Sequence, residues 1–219
     1  MRDLTVVQEY LICAVNGKGE LGTLNTEKVV CLVAGGLLEL QMEGCVRLEG
    51  KRVEVIGALP DKEAHLAPLY DYINQAKPMK LENIITDYTY SFIDKRMREL
   101  VESIGASLAA EGLAEVGKAG MFGSAKSYHP KKEALEGVIN EVRAELLEDV
   151  ELTDDVALLT ILLERGKCLK EYFSKYEQKA LKEKVKALCA SPSGRIIKEM
   201  IEYVDSMINM MTVIMMALS

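Results

Sequence analysis

Apolar positions along this chain recur mainly at steps of three and four, which predicts helices, and switch to a step of two in only a few places. Thr5-Val6-Val7-Gln8 has the form of a capping box, with Thr5 as N-cap and Gln8 reaching back, and the helix it opens continues to Val15. Asn16-Gly17-Lys18-Gly19 breaks it. A second helix, Thr26–Met42, is apolar on most sides through Val29, Val30, Leu32, Val33, Leu37, Leu38 and Leu40, which predicts a central position. Gly35-Gly36 costs that helix propensity and points to close packing there. Residues 63–76 read as a helix stopped by Lys77-Pro78. Residues 81–90 are apolar-patterned, with Tyr88, Tyr90 and Phe92 assigned to the core. Met97, Leu100, Val101, Ile104 and Leu108 then make one face of a helix that begins with Lys95, Arg96 and Arg98. Pro130 is expected at the first position of a helix reaching about 147. Thr153 caps a Leu-rich helix, 167–190 is charged and helical, and Ser191-Pro192-Ser193-Gly194 precedes a last helix.

The step of two appears after Glu43-Gly44 and after Glu111-Gly112, each a glycine stop for the helix before it. Val46, Leu48, Val53 and Val55 alternate with Arg47, Arg52 and Glu54, which predicts a half-buried hairpin. The second place aligns with the first as helix, strand, Gly-Lys turn and strand, and its Gly-rich turn spans 117–123. Met121-Phe122 is the bulky apolar pair of that turn, beside the positive charge of Lys95, Arg96 and Arg98. A loop so rich in glycine builds no core of its own, so the pair buries in the same domain, in a neighbouring subunit or in a bilayer interface. The fold class expected is mainly α: a single helical domain over 1–219 with one or two short β-hairpins, as helix-plus-wing units.

Composition narrows the function. The formal net charge of −7 counts against a protein devoted to gripping nucleic acid. The five cysteines form no C-x-x-C pair, and the two histidines, His65 and His129, stand far apart, so no zinc spacing exists and no metal or cofactor is expected. The thiols read as buried and free, as in a reducing cytosol. His65 and His129 read as surface or capping residues, and no motif for catalysis appears, so the chain is not expected to be an enzyme. Residues 207–219 are the most apolar stretch; at about a dozen residues they are short for a bilayer span and are assigned to a buried terminal helix.

Three blocks resemble the Golgi phosphoprotein 3 family of peripheral membrane proteins. Leu4-Thr5-Val6-Val7-Gln8-Glu9-Tyr10-Leu11-Ile12 is similar to its opening L-T-x-x-E-E-x-x-L-L. Leu37-Leu38-Glu39-Leu40-Gln41-Met42-Glu43-Gly44 is similar to L-x-E-L-x-x-R-G. Residues 108–130 are similar to its L-V-E-x-G-V-L, hairpin and H-P. The resemblance implies a helical, oligomeric protein that binds phosphatidylinositol 4-phosphate at the cytoplasmic face of a membrane and recruits cytosolic tails of membrane enzymes, with the hairpin inserting in the membrane or joining subunits. It also implies a headgroup pocket of one Trp, one Arg and an Arg-x-x-Arg pair. Carried over, these positions fall near Leu24, near Val33, and on Arg98 and Val101, so only Arg98 matches, with Lys95 and Arg96 beside it. Each missing Arg removes a charge-assisted contact worth about 1.5–3 kcal/mol. The expected function is therefore a lipid-binding adaptor that meets an anionic, phosphoinositide-like headgroup through Arg98, Lys95 and Arg96. The alternative is a winged-helix nucleic-acid-binding regulator, motivated by the repeated helix-plus-wing.

Overall fold

A computed structural model describes residues 4–21, 25–89, 95–120, 125–147, 152–191 and 194–218. Helix α1 (Val6–Ala14) begins after Thr5, whose amide donates to Gln8 Oε1 at 3.0 Å, the reach-back expected of the capping box. Helix α2 (Thr26–Met42) is buried without interruption from Lys28 to Leu40. Strands β1 (Val46–Glu49) and β2 (Arg52–Val55) form an antiparallel hairpin. A 3-10 helix (Asp61–Leu66) leads into α3 (Ala67–Ile73). Strand β3 (Met79–Lys80) adds to β2, and α4 (Leu81–Thr89) follows it directly. Helix α5 (Lys95–Ala110) precedes the second hairpin, β4 (Ala114–Ala119) and β5 (Ala125–Pro130). Five helices complete the chain: α6 (Lys132–Leu147), α7 (Asp154–Arg165), α8 (Leu169–Tyr172), α9 (Lys175–Ala190) and α10 (Arg195–Leu218).

The core wraps α2, which packs against α1, α3, α4, α7, α10 and β1. Its two glycines sit where that wrapping is closest. A Cβ on Gly35 would stand 2.9 Å from Leu162 Cδ1 and 3.1 Å from Val7 Cγ1, and one on Gly36 would stand 2.9 Å from Leu69 Cδ2. Both hairpins start from the same helix ending. Gly44 and Gly112 take positive φ of 70° and 75°. Cys45 N donates to Leu40 O and Gly44 N to Gln41 O at 2.8 and 3.0 Å; Leu113 N and Gly112 N repeat the pattern on Leu108 O and Ala109 O. This paired bonding beyond a left-handed glycine closes the orphan carbonyls of each helix and turns the chain into a strand.

Several expectations change. The two hairpins diverge after the glycine stop: Gly50-Lys51 is a turn, but Gly117 and Lys118 lie inside β4, opposite Ser127 and Lys126. A side chain on Gly117 would crowd Ser127 Oγ at 2.6 Å, so the glycine there serves strand pairing. Pro130 ends β5 and α6 starts at Lys132, since Pro130 pairs with Ala114 in the strand register. The 63–76 segment divides into 3-10 and α turns, and 167–190 divides at Ser174, which makes its own capping box with Glu177. Tyr88 is buried; Tyr90 and Phe92 lie outside the described residues. His65 is buried, not a surface residue.

The terminal helix also departs from its expected burial. Counted from Arg195, it is long and apolar enough to cross a membrane by length and composition. Ile197, Met200, Val204, Met207 and Met211 are buried on one stripe, and Asp205 accepts from Arg165 Nε and Nη2 at 2.6 and 3.1 Å. Beyond Met211 Ile214 still packs partly against the core, while Val213, Met215 and Met216 are exposed.

Both strands of the second hairpin pack along α5, and the tightest of the described contacts is at Gly105. The Tyr128 ring lies flat against Gly105, where any Cβ would overlap it, and Tyr128 N donates to Gly19 O at 2.9 Å. Gly105→Ala should therefore lift the hairpin from α5 and cost about 1–3 kcal/mol in chemical denaturation, the range for overpacking a filled site. Gly137→Ala, where a Cβ meets nothing within 4 Å, should leave stability at or above wild type.

Candidate functional site

Helix α5 carries the expected headgroup residues on its first turn, and the structure separates their roles. Lys95 is exposed and lies 3.6 Å from Glu99, one turn on. Arg96 is half-buried, its guanidinium 3.9 Å from the centre of the Tyr72 ring and 4.0 Å from Asp87 Oδ2. Tyr72 in turn donates to the same Asp87 oxygen at 2.5 Å. Arg96 is thus stacked on Tyr72 beside Asp87 and joins α3, α4 and α5. Arg98 is exposed. Of the unmatched pocket positions, Val33 and Val101 are buried in the core, so neither offers an anion anything but hydrocarbon. Leu24 lies outside the described residues, as do Met121 and Phe122 at the hairpin tip.

A broad cleft opens between α3, α4, α5 and β5. Arg96 and Lys126 line it, but so do Asp71, Glu82, Asp87, Glu99 and Glu102. Its acidic excess disfavours a phosphate inside it. Positive charge gathers instead at the end of the hairpin. Lys118 and Lys126 are exposed and stand directly opposite one another in the β4–β5 register. Like charges in that position weaken the pairing of the two strands. Because Tyr128 packs on Gly105 and Lys126 shares the cleft with Arg96, β5 runs back along α5. The Lys118–Lys126 pair, toward the turn side of the hairpin, and the first turn of α5 therefore lie on the same side of the molecule. Sequence reasoning missed this lysine pair because it placed Lys118 in the turn; strand register was the signal needed.

A second cleft, of about 530 Å³, is lined by Leu4, Glu9, Leu113, Glu141, Glu145 and Asp155 among others. Glu145 accepts the Thr153 amide and hydroxyl at 2.9 and 2.8 Å. Glu9 is buried at its floor, and burial, followed by the charges of Glu141, Asp155, Glu39 and Glu145, pushes its carboxyl up to about 8. A third cluster is enclosed: Glu39 from α2 with Glu63 and His65 from the 3-10 helix, all buried. All five cysteines are free thiols as expected, but only Cys13, Cys31, Cys45 and Cys168 are buried, where burial raises the pKa of each; Cys189 is half-buried.

Compared with known proteins, residues 7–204 match the family model described as Golgi phosphoprotein 3 (GPP34). No individually curated protein matches the chain at a significant level.

The raised carboxyl of Glu9 has a measurable consequence. Its proton is held up to about pH 8 in the folded state, whereas the unfolded chain releases it near 4.5. The folded state binds more protons across that window, so its stability falls as pH rises through it. Glu9→Gln, a neutral isostere, should match wild type below pH 4 and exceed it by about 1–3 kcal/mol at pH 8.5 in thermal or urea unfolding. A gap that does not change with pH would mean that Glu9 is charged in the fold.

Proposed function

This chain belongs to the Golgi phosphoprotein 3 family, and from that premise we propose that it is a non-catalytic peripheral membrane protein at the cytoplasmic face of an anionic membrane. It holds the lipid surface by charge at the hairpin end, and offers its acidic cleft to basic cytosolic tails of membrane proteins. The observation that carries this reading is the exposed Lys118–Lys126 pair, directly opposed in the register and set on the same side as the first turn of α5. A pair that weakens its own hairpin gains most from a surface of negative charge, where each juxtamembrane cation contributes about 1 kcal/mol. Val33 and Val101, buried where guanidinium groups would be needed, support attraction to anionic lipid in general over selection of one phosphoinositide headgroup.

Weak attachment of this kind is strengthened by several copies acting together, which fits a homo-oligomer on the membrane. Glu141, Glu145 and Asp155 in the cleft around Glu9 have the charge to receive Lys or Arg of a client tail. As for nucleic acid, α2 would be the recognition helix of a winged-helix unit, and it is buried from Lys28 to Leu40 with no face left for a groove.

Flotation with vesicles of neutral phosphatidylcholine, with added phosphatidylserine, and with added phosphatidylinositol 4-phosphate at equal charge tests the reading. Wild type should float with both anionic compositions to a similar extent, and binding should fall steeply between about 0.1 and 0.5 M salt. Lys118→Glu with Lys126→Glu should abolish flotation without lowering thermal stability. Failure of wild type to float with either anionic composition would end the proposal. A large preference for the phosphoinositide would replace charge with headgroup selection.

A further inference from the structure

The enclosed cluster at the start of α1 has the composition and spacing of a cation site. His65 Nε2 lies 3.6 Å from Glu63 Oε2 and 3.9 Å from Glu39 Oε2, and the three candidate ligand atoms all fall within 4.8 Å of one another. The three side chains are 3–7% exposed. Glu39 Oε1 is already used, accepting the Val7 amide at 2.7 Å, which fixes the carboxylate and turns Oε2 inward. Both inward oxygens, Glu39 Oε2 and Glu63 Oε2, are buried without a hydrogen-bond partner among the described residues. Two buried carboxylates left so beside one imidazole are a costly arrangement unless something positive joins them.

From this convergence we propose that Glu39, Glu63 and His65 bind a divalent transition-metal ion, and that the ion is structural. One imidazole nitrogen and two carboxylate oxygens suit Zn²⁺ or its first-row neighbours better than Mg²⁺ or Ca²⁺, which favour oxygen alone. A tetrahedral zinc with bonds of about 2.1 Å sets its ligands about 3.4 Å apart, near the 3.6 and 3.9 Å from His65 Nε2 to the two carboxylates. Thr5 Oγ1, 3.2 Å from His65 Nε2, stands at ligand-to-ligand distance and can supply a further oxygen. The Val7 amide on the far oxygen of Glu39 is the kind of outer contact that orients a metal ligand. The ion would join the entry to α1, the last turn of α2 and the 3-10 helix. None of the described clefts is lined by Glu39, Glu63 or His65, so no substrate reaches it by those routes. Such a site has no sequence motif, because Glu39 lies more than twenty positions from the other two ligands.

The test uses the full chain, stripped with EDTA and then titrated with Zn²⁺ or Mg²⁺. Wild type should bind about one equivalent of Zn²⁺ by calorimetry, retain it through desalting by elemental analysis, and melt several degrees higher than the stripped protein, with no response to Mg²⁺. Co²⁺ in place of zinc should give visible absorption bands of a four- or five-coordinate nitrogen–oxygen site, without the strong near-ultraviolet band of thiolate ligands. Glu63→Gln and His65→Gln, each retaining the helical circular-dichroism spectrum, should lose both the bound equivalent and the metal-dependent rise in melting temperature. If a variant fails to fold, the wild-type stoichiometry and the cobalt spectrum still decide. Absence of zinc binding by stripped wild type overturns the proposal and makes the cluster a proton-sharing network. Binding that survives both substitutions, or a thiolate spectrum, overturns it by placing the metal on the cysteines.

Discussion

Two charged side chains on α2 grip the two ends of α1, and the rest of the molecule is built around that grip. Glu39 accepts the Val7 amide at the N-terminus of α1, while Lys28 Nζ donates to Ala14 O at its C-terminus, at 2.7 and 2.9 Å. The anion meets the positive end of the α1 dipole and the cation its negative end, and each satisfies a backbone group the helix leaves open. Glu171 of α8 lies 3.6 Å from the same lysine and helps balance its charge. Both α2 side chains are almost wholly buried, so breaking either contact would strand a charge in the core. With α1 and α2 locked together, the remaining faces of α2 are apolar, and α3, α4, α7 and α10 close over them.

That arrangement leaves α5 and its hairpin on the flank, where surface charge sorts itself. The chain is acidic overall and acids line the two clefts, while exposed lysines occupy the turn side of β4 and β5. A protein of negative net charge can approach an anionic surface when one end is locally positive, since screening limits the reach of the distant acids to about 8 Å at physiological salt. Tyr128 on Gly105 sets this geometry, because it fixes the angle at which the hairpin leaves the body.

Much of the fold was legible in the sequence. The all-round apolar pattern of 26–42 marked the central helix, Gly35-Gly36 marked its tightest packing, and Gly44 and Gly112 marked the stops that launch the hairpins; these are local rules of periodicity and backbone conformation. The family resemblance, carried by short blocks at residues 4–12, 37–44 and 108–130, agrees with the match over residues 7–204. What only the tertiary structure decided depends on distance between segments. Lys118 became a strand residue through pairing with Lys126, Arg96 became a packed post through Tyr72 and Asp87, and His65 moved from the surface to the interior beside Glu39. None of these follows from spacing along the chain, because strand register, cation–aromatic stacking and the meeting of buried charges are set by which elements pack together.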